Sequence, residues 1–344
     1  MSVSTSDPRH CCLLRWLDSL PPALGLRADS LRPASDDASF RRYFRIDCED
    51  GPSPSVILMD APPQHERCEP FVSVARILAE SGLAVPMVLA QDLEQGFLLL
   101  EDFGDQTYLQ ALTEANAGDL YGAATHSLVR LQRASRSGVF PDYDRTLLER
   151  ELGLYPDWYV THHKGRTLSA QQQAELQRGF TLLVDACLAQ PQVFVHRDWH
   201  SRNLMALDDG RTPGVLDFQD AVYGPITYDL VSLLRDAYID WPEERQIDWV
   251  IRYWEAARAA ALPVAADFGA FYRDFEWMGL QRQIKVLGIF ARLHHRDGKA
   301  RYLADLPRVL NYALSTARRY GALSGLLRVL ESVENAQAQA AYTF

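Results

Sequence analysis

Cysteine is scarce, and the five present (Cys11, Cys12, Cys48, Cys68 and Cys187) are odd in number and show no CxxC spacing. That pattern excludes a disulfide framework and a cysteine zinc site, and points to reduced thiols. A basic excess is also missing: 35 Lys and Arg against 45 Asp and Glu give a net charge of −10, which argues against nucleic-acid binding. No apolar run approaches bilayer length, and "MSVSTSDPRHCCLLRWLDSL" lacks the basic and apolar regions of a signal peptide. A cytoplasmic protein with no membrane association and no obligate protein partner is the expectation. Internal repeats and low-complexity tracts are absent too.

What is present is ordinary globular composition, 47% hydrophobic and 23% charged, over 344 residues. That length favours two lobes. The first helix is expected over "RHCCLLRWLDSL", with Asp7 or Ser6 as N-cap and Pro8 in its first turn. Strand-like runs follow at "FRRYFRI" and "SVILMDA", then a helix "PFVSVARILAESG" closed by Gly82, a further strand, and the apolar run "GFLLLEDFG". After Gly104 the period turns helical, apart from one β unit near residues 193–221. The reading is an α+β protein with a small mixed lobe at 1–104 and a large helical lobe at 105–344.

The stretch "VFVHRDWHSRNLMALDDGRTPGVLDFQDA" carries the chemistry. "NLMAL" and "GVLDF" read as strands joined by the turn "DDGRTP", with Asn203 and Asp217 each seven residues from Gly210. An amide oxygen and a carboxylate converging there, with Asp198 on the entering loop, form a hard oxygen set suited to Mg²⁺. Each residue alone is an ordinary loop cap. Together, H-x-D-x-x-x-x-N followed by an apolar-flanked D-F resembles the catalytic loop and metal-binding aspartate of the protein-kinase-like fold. Asp217 is followed at once by "FQDAVYGPITYDLVSLLRDAY", with no A-P-E and little room for a peptide platform. This compact form resembles the aminoglycoside phosphotransferase and choline kinase superfamily of small-molecule kinases.

The resemblance implies a bilobal fold whose smaller lobe holds an antiparallel sheet, with ATP as co-substrate and Mg²⁺ as cofactor. It makes Asp198 the catalytic base and Asn203 and Asp217 the metal ligands, with His196 and Asp229 bracing the loop. Within the superfamily, "ASFRRYFRI", "VILMDAPP", "LLLEDFGDQTYL" and "KVLGIFARLHHRDGKARYLADLPR" are similar to bacterial kinases of peptidoglycan recycling. Those act on the anomeric hydroxyl of the amino sugars N-acetylmuramate and N-acetylglucosamine. One departure concerns Met59, which stands where the strand-three lysine of kinases belongs. Arg41, Arg42 or Arg45, with Ser39 and nearby backbone amides, are then expected on the phosphates, with Glu66, Glu69 or Glu80 as the acid. Leu100, Glu101 and Asp102 are expected to read adenine through their backbone. Trp199, His200, Gln219 and Asp220 are placed to touch the sugar. Gln281, Lys285, Gly288 and Arg292 share one helix face, and Lys285 or Arg292 would meet a sugar carboxylate. The same residues also suit a kinase of an aminoglycoside, choline or homoserine, and Met59 would suit a non-catalytic pseudokinase.

Overall fold

The computed structural model describes residues 8–35, 40–51 and 53–340; Ser6, Asp7 and Ser39 lie outside the described residues. The chain divides into two units, one of Met1–Gln106 with Met205–Gln219, the other of Thr107–Leu204 with Asp220–Phe344. The division differs from one cut near Gly104 because Met205–Gln219 packs with the first unit. There, Val215 N–H donates to the Ala84 carbonyl (2.7 Å) and Phe218 packs on Phe71 (ring centroids 4.7 Å).

In the first unit, α1 (Pro8–Asp18) opens with a proline, whose missing N–H has no helical partner to lose at that position. It buries Leu13, Trp16 and Leu17, spaced i, i+3, i+4. Five antiparallel strands follow: β1 (Arg32–Ser35), β2 (Arg42–Asp47), β3 (Ser55–Asp60), β4 (Val88–Asp92) and β5 (Phe97–Glu101). Their order is β1-β2-β3-β5-β4. The alternation in β2 sends Phe44 and Ile46 inward, where they meet Leu13, Leu58 and Phe97 in one core. β5 is flanked on both sides, which explains its unbroken apolar run "FLLL". Between β3 and β4, α2 (Glu69–Glu80) is closed by Gly82 at φ 81°, a left-handed position that suits glycine.

The second unit is helical: α3 (Tyr108–Ala111), α4 (Ala117–Arg133), α5 (Arg145–Leu154), α6 (Ala170–Ala189), α7 (Tyr228–Leu234), α8 (Glu243–Ala259), α9 (Phe268–His295), α10 (Leu306–Arg319) and α11 (Ser324–Ala340). α5 runs directly into a nine-residue π-helix, Tyr155–His163, a rare form. The expected β unit is two separate ladders. β6 (Gln192–Val195) pairs antiparallel with β9 (Val222–Pro225), a strand whose Gly-Pro end hides it in the sequence. β7 (Leu204–Met205) and β8 (Gly214–Val215) form a ladder only two residues long on each side, so Asn203, in a turn, and Asp217, in irregular chain, both stand outside it. Among the described residues no helix is long and apolar enough to cross a membrane.

Candidate active site

In the second unit, β6 delivers the chain into a loop that two buried carboxylates pin from behind. Asp229, on α7, accepts the backbone N–H of His196 (2.6 Å) and of Arg197 (2.9 Å). Asp236 accepts the N–H of Ser201 (2.8 Å). The Asp198 N–H donates to His196 Nδ1 (3.2 Å), which fixes the imidazole proton on Nε2. Arg197 takes φ 77°, so the turn before Asp198 is held in a conformation that an arginine rarely adopts. Asn203 closes the loop by donating its amide nitrogen to the Asp198 carbonyl (3.2 Å), which turns its amide oxygen the other way.

The Asp198 side chain is 43% exposed and lies within 4 Å of no lysine or arginine nitrogen among the described residues. Burial works against its charge, but the fields of His200, Lys285, Arg282 and Arg197 outweigh it and hold the carboxyl below its usual range. His200 is itself pushed down, by burial first, against Asp236 and Asp198. At neutral pH the imidazole is uncharged, and the lysine and two arginines supply the field. They do so at a distance, because Glu151 on α5 takes Arg197 (2.5 Å) and Lys285 (3.0 Å) directly. Glu151 also accepts from Tyr143, and Lys285 donates to Tyr228 Oη (2.8 Å). Burial opposes the Glu151 charge and its two cations more than offset it. Asp229 has no such cation in contact, and burial pushes its carboxyl up to about 7 despite the two N–H groups.

In the first unit, Asp217 also takes a positive φ, 58°, and accepts from Gln219 Nε2 (2.7 Å). The three arginines expected on phosphates have carboxylate partners. Arg41 pairs with Glu66 (2.9 Å), and Arg42 joins Arg9 on the buried Asp60. Arg45 holds Asp102 (2.6 Å) and Asp105 (2.7 Å), two carboxylates on one fork. Met59 has no exposed surface and belongs to the sheet core. The sequence has only three lysines, Lys164, Lys285 and Lys299, so the whole first unit is lysine-free. The cations of the first unit are therefore all arginines, and Arg41–Glu66 is one of its cation–acid pairs. Leu100 lies inside the ladder between Ile57 and Val88, and the Glu101 N–H donates to Met87 (2.9 Å). Asp102 accepts from Ser55 and Gly104 besides Arg45. The Leu100 backbone and the Glu101 N–H are thus engaged within the sheet and its neighbouring loop.

Three further expectations are corrected. Trp199 is fully buried, edge-on to His196, and cannot serve as a stacking surface for a sugar. Lys285 is buried with Glu151 and Tyr228, so its ammonium is already engaged. Arg292 lies about 10 Å beyond Lys285 along α9, beside Arg296 and Asp297. The face carrying these residues is no open wall: a Cβ at Gly288 would fall 2.4 Å from the Leu154 backbone, so α9 crosses the α5–π junction there. His200 is 9% exposed, while Gln219 is half-buried and Asp220 exposed. Sequence reasoning missed Glu151, Asp236 and Arg282. For Glu151 no local signal existed; for Asp236 the signal was an acid inside the apolar "VSLLRDAY".

Residues 30–268 match the phosphotransferase enzyme family. The N-acetylmuramate/N-acetylglucosamine kinase of Pseudomonas aeruginosa is 47% identical over 336 residues, 96% of this chain and 98% of that one. The enzyme of the same name from Neisseria meningitidis serogroup B is 48% identical, covering 98% and 99%. Among solved structures, a choline/ethanolamine kinase family protein from Mesorhizobium loti superposes with a TM-score of 0.62 at 15% identity, covering 94% and 99%. The ADP-bound aminoglycoside phosphotransferase APH(2'')-Ib gives 0.58 at 14%, covering 89% and 97%. At those identities the structures speak for the fold, which is the mixed, protein-kinase-like one.

Proposed function

The chain belongs to the phosphotransferase enzyme family, and from that premise we propose that it moves the γ-phosphoryl group of ATP to the anomeric hydroxyl of N-acetylmuramate or N-acetylglucosamine. The supporting observation is the near-full-length identity to two kinases of those sugars, together with an ionised Asp198 that no cation clamps. In the reaction the sugar oxygen bonds to the γ-phosphorus, the bond to the β-phosphate bridging oxygen breaks, and ADP leaves. The hydroxyl proton passes to Asp198, which is already a carboxylate at neutral pH and sits on a loop that cannot drift. Positioning and charge neutralisation carry most of such a transfer.

Asn203 and Asp217 are the residues this reading assigns to Mg²⁺: an amide oxygen and a carboxylate are hard donors, and such an ion keeps its other positions for water and phosphate. Bound there, the ion would neutralise phosphate oxygens. Arg41, backed by Glu66, is the nucleotide-side cation of this reading. ATP use and five free cysteines suit a cytoplasmic role in recycling cell-wall sugars.

The test is a panel of ATP with reducing amino sugars, their methyl glycosides, an aminoglycoside, choline and homoserine, following ADP release. The reducing sugars should turn over, the methyl glycosides should not, and phosphorus NMR should show coupling to the anomeric proton. Turnover of a methyl glycoside, or phosphate at C6, overturns the anomeric assignment. Preferred turnover of choline or an aminoglycoside overturns the sugar. ATP binding without turnover of any acceptor makes the chain a pseudokinase.

A further inference from the structure

α9 carries a cation that the rest of the second unit leaves without a partner. Arg282 is 6% exposed, its Nε is fully buried, and its guanidinium has neither a hydrogen-bond acceptor nor an ion-paired carboxylate among the described residues. Guanidinium does not lose its proton in a protein, and a buried unpaired charge is expensive. The other cations around this loop have partners: Arg197 and Lys285 share Glu151, and Arg202 lies over the Tyr238 ring (4.3 Å). Arg282 stands one turn before Lys285, on the same side of the helix. Its charge is felt by Asp198, His200 and Asp229, which places it at the loop that carries the base. Beside it Gln281, with no exposed surface, has neither its amide oxygen nor its nitrogen bonded.

We infer that Arg282 is the specificity-determining residue that reads a carboxylate on the acceptor, with Gln281 as the adjoining polar contact. The inference rests on the proposed sugar kinase reading. It assigns to Arg282 the lactyl carboxylate of N-acetylmuramate, the group N-acetylglucosamine lacks, and takes that role from Lys285 and Arg292. A planar two-pronged donor matches a carboxylate better than an ammonium does. A phosphate of the nucleotide is the competing anion, and the experiment separates the two.

The experiment is steady-state kinetics of the full-length enzyme with both sugars, for wild type, Arg282→Gln and Arg282→Lys. The expected result is a fall of about 10–100-fold in kcat/KM for N-acetylmuramate relative to N-acetylglucosamine in Arg282→Gln, carried by KM. Arg282→Lys should recover only part of it. Because a variant of a buried residue can misfold, wild type is also tested with the neutral lactamide of N-acetylmuramate. It should discriminate against the amide about tenfold, and Arg282→Gln should not discriminate at all. Equal loss on both sugars would mean that Arg282 acts only through Asp198. A rise in KM for ATP would give it to the nucleotide. Indifference of wild type to the amide would mean that no cation reads the carboxylate, and any of these three results overturns the inference. Failure of wild type on both sugars would instead sink the kinase reading beneath it.

Discussion

Two aspartates in this protein stand among arginines and are treated in opposite ways. Asp60, at the end of β3, has no exposed surface and is gripped directly by Arg9 and Arg42. Asp198 is 43% exposed, and its cations stay away because Glu151 holds two of them. A carboxylate in direct ion pairs is structural, since its lone pairs already have partners. One that is charged by a field but untouched can still accept a proton. The decoy acid, Glu151, makes the difference.

The largest effect should come from breaking the contrast at its functional end. Asp198→Asn is expected to lower kcat by about 10²–10⁴-fold with the protein still folded, as checked by turnover and circular dichroism. Asp60→Asn should act on stability instead. Its partners Arg42 and Arg9 are partly exposed (41% and 23%), so about 1–3 kcal/mol is expected in urea unfolding. Next is Glu151→Gln, which frees Arg197 and Lys285 to seize Asp198. Turnover should fall about tenfold. The acid limb of the rate profile should also move to still lower pH, because removing a nearby anion stabilises the Asp198 carboxylate further.

The fourth prediction concerns the brace. The Asp229 carboxyl is raised to about 7 in the folded state, against about 3.9 in an unfolded chain. The folded state therefore holds a proton that the unfolded state releases, and the stability this gives is complete below about pH 4 and lost as pH rises through about 7. The melting-temperature advantage of wild type over Asp229→Asn should shrink between pH 5 and pH 8. The smallest effect is expected at Trp199→Phe. That change should cost about 1–2 kcal/mol of core packing and leave the sugar KM within about twofold, because the buried indole has no face to offer. A tenfold rise in KM would restore Trp199 to the acceptor site.

The loop proposed as catalytic could be singled out because its polar residues are contiguous: His196, Asp198 and Asn203 keep fixed spacing, and the structure holds them on one loop. The strands of the first unit were legible through alternation, as Phe44 and Ile46 show. α9 was not. Periodicity puts Gln281, Lys285, Gly288 and Arg292 on one face but cannot say whether that face meets water or another helix. Gly288 was the available clue, because a glycine inside a long helix marks a close crossing, here with Leu154. β9 escaped because the Gly-Pro of "VYGP" is poor strand chemistry and its partners are far away in sequence, β6 about thirty residues earlier and the Pro141–Tyr143 segment earlier still. Glu151 came from a helix far away in sequence, and long-range pairing leaves no local trace.

The lysine-free first unit has a practical consequence for anyone profiling kinases in a cell extract. Reagents that tag nucleotide sites by acylating an amine, such as reactive acyl esters of ATP, depend on a lysine beside the phosphates. Here the first unit offers arginine alone, and guanidinium does not acylate under such conditions. Lys285, the lysine nearest the base, is buried and engaged by Glu151 and Tyr228. Such a survey would pass over this protein in silence, while dicarbonyl reagents selective for arginine would find it.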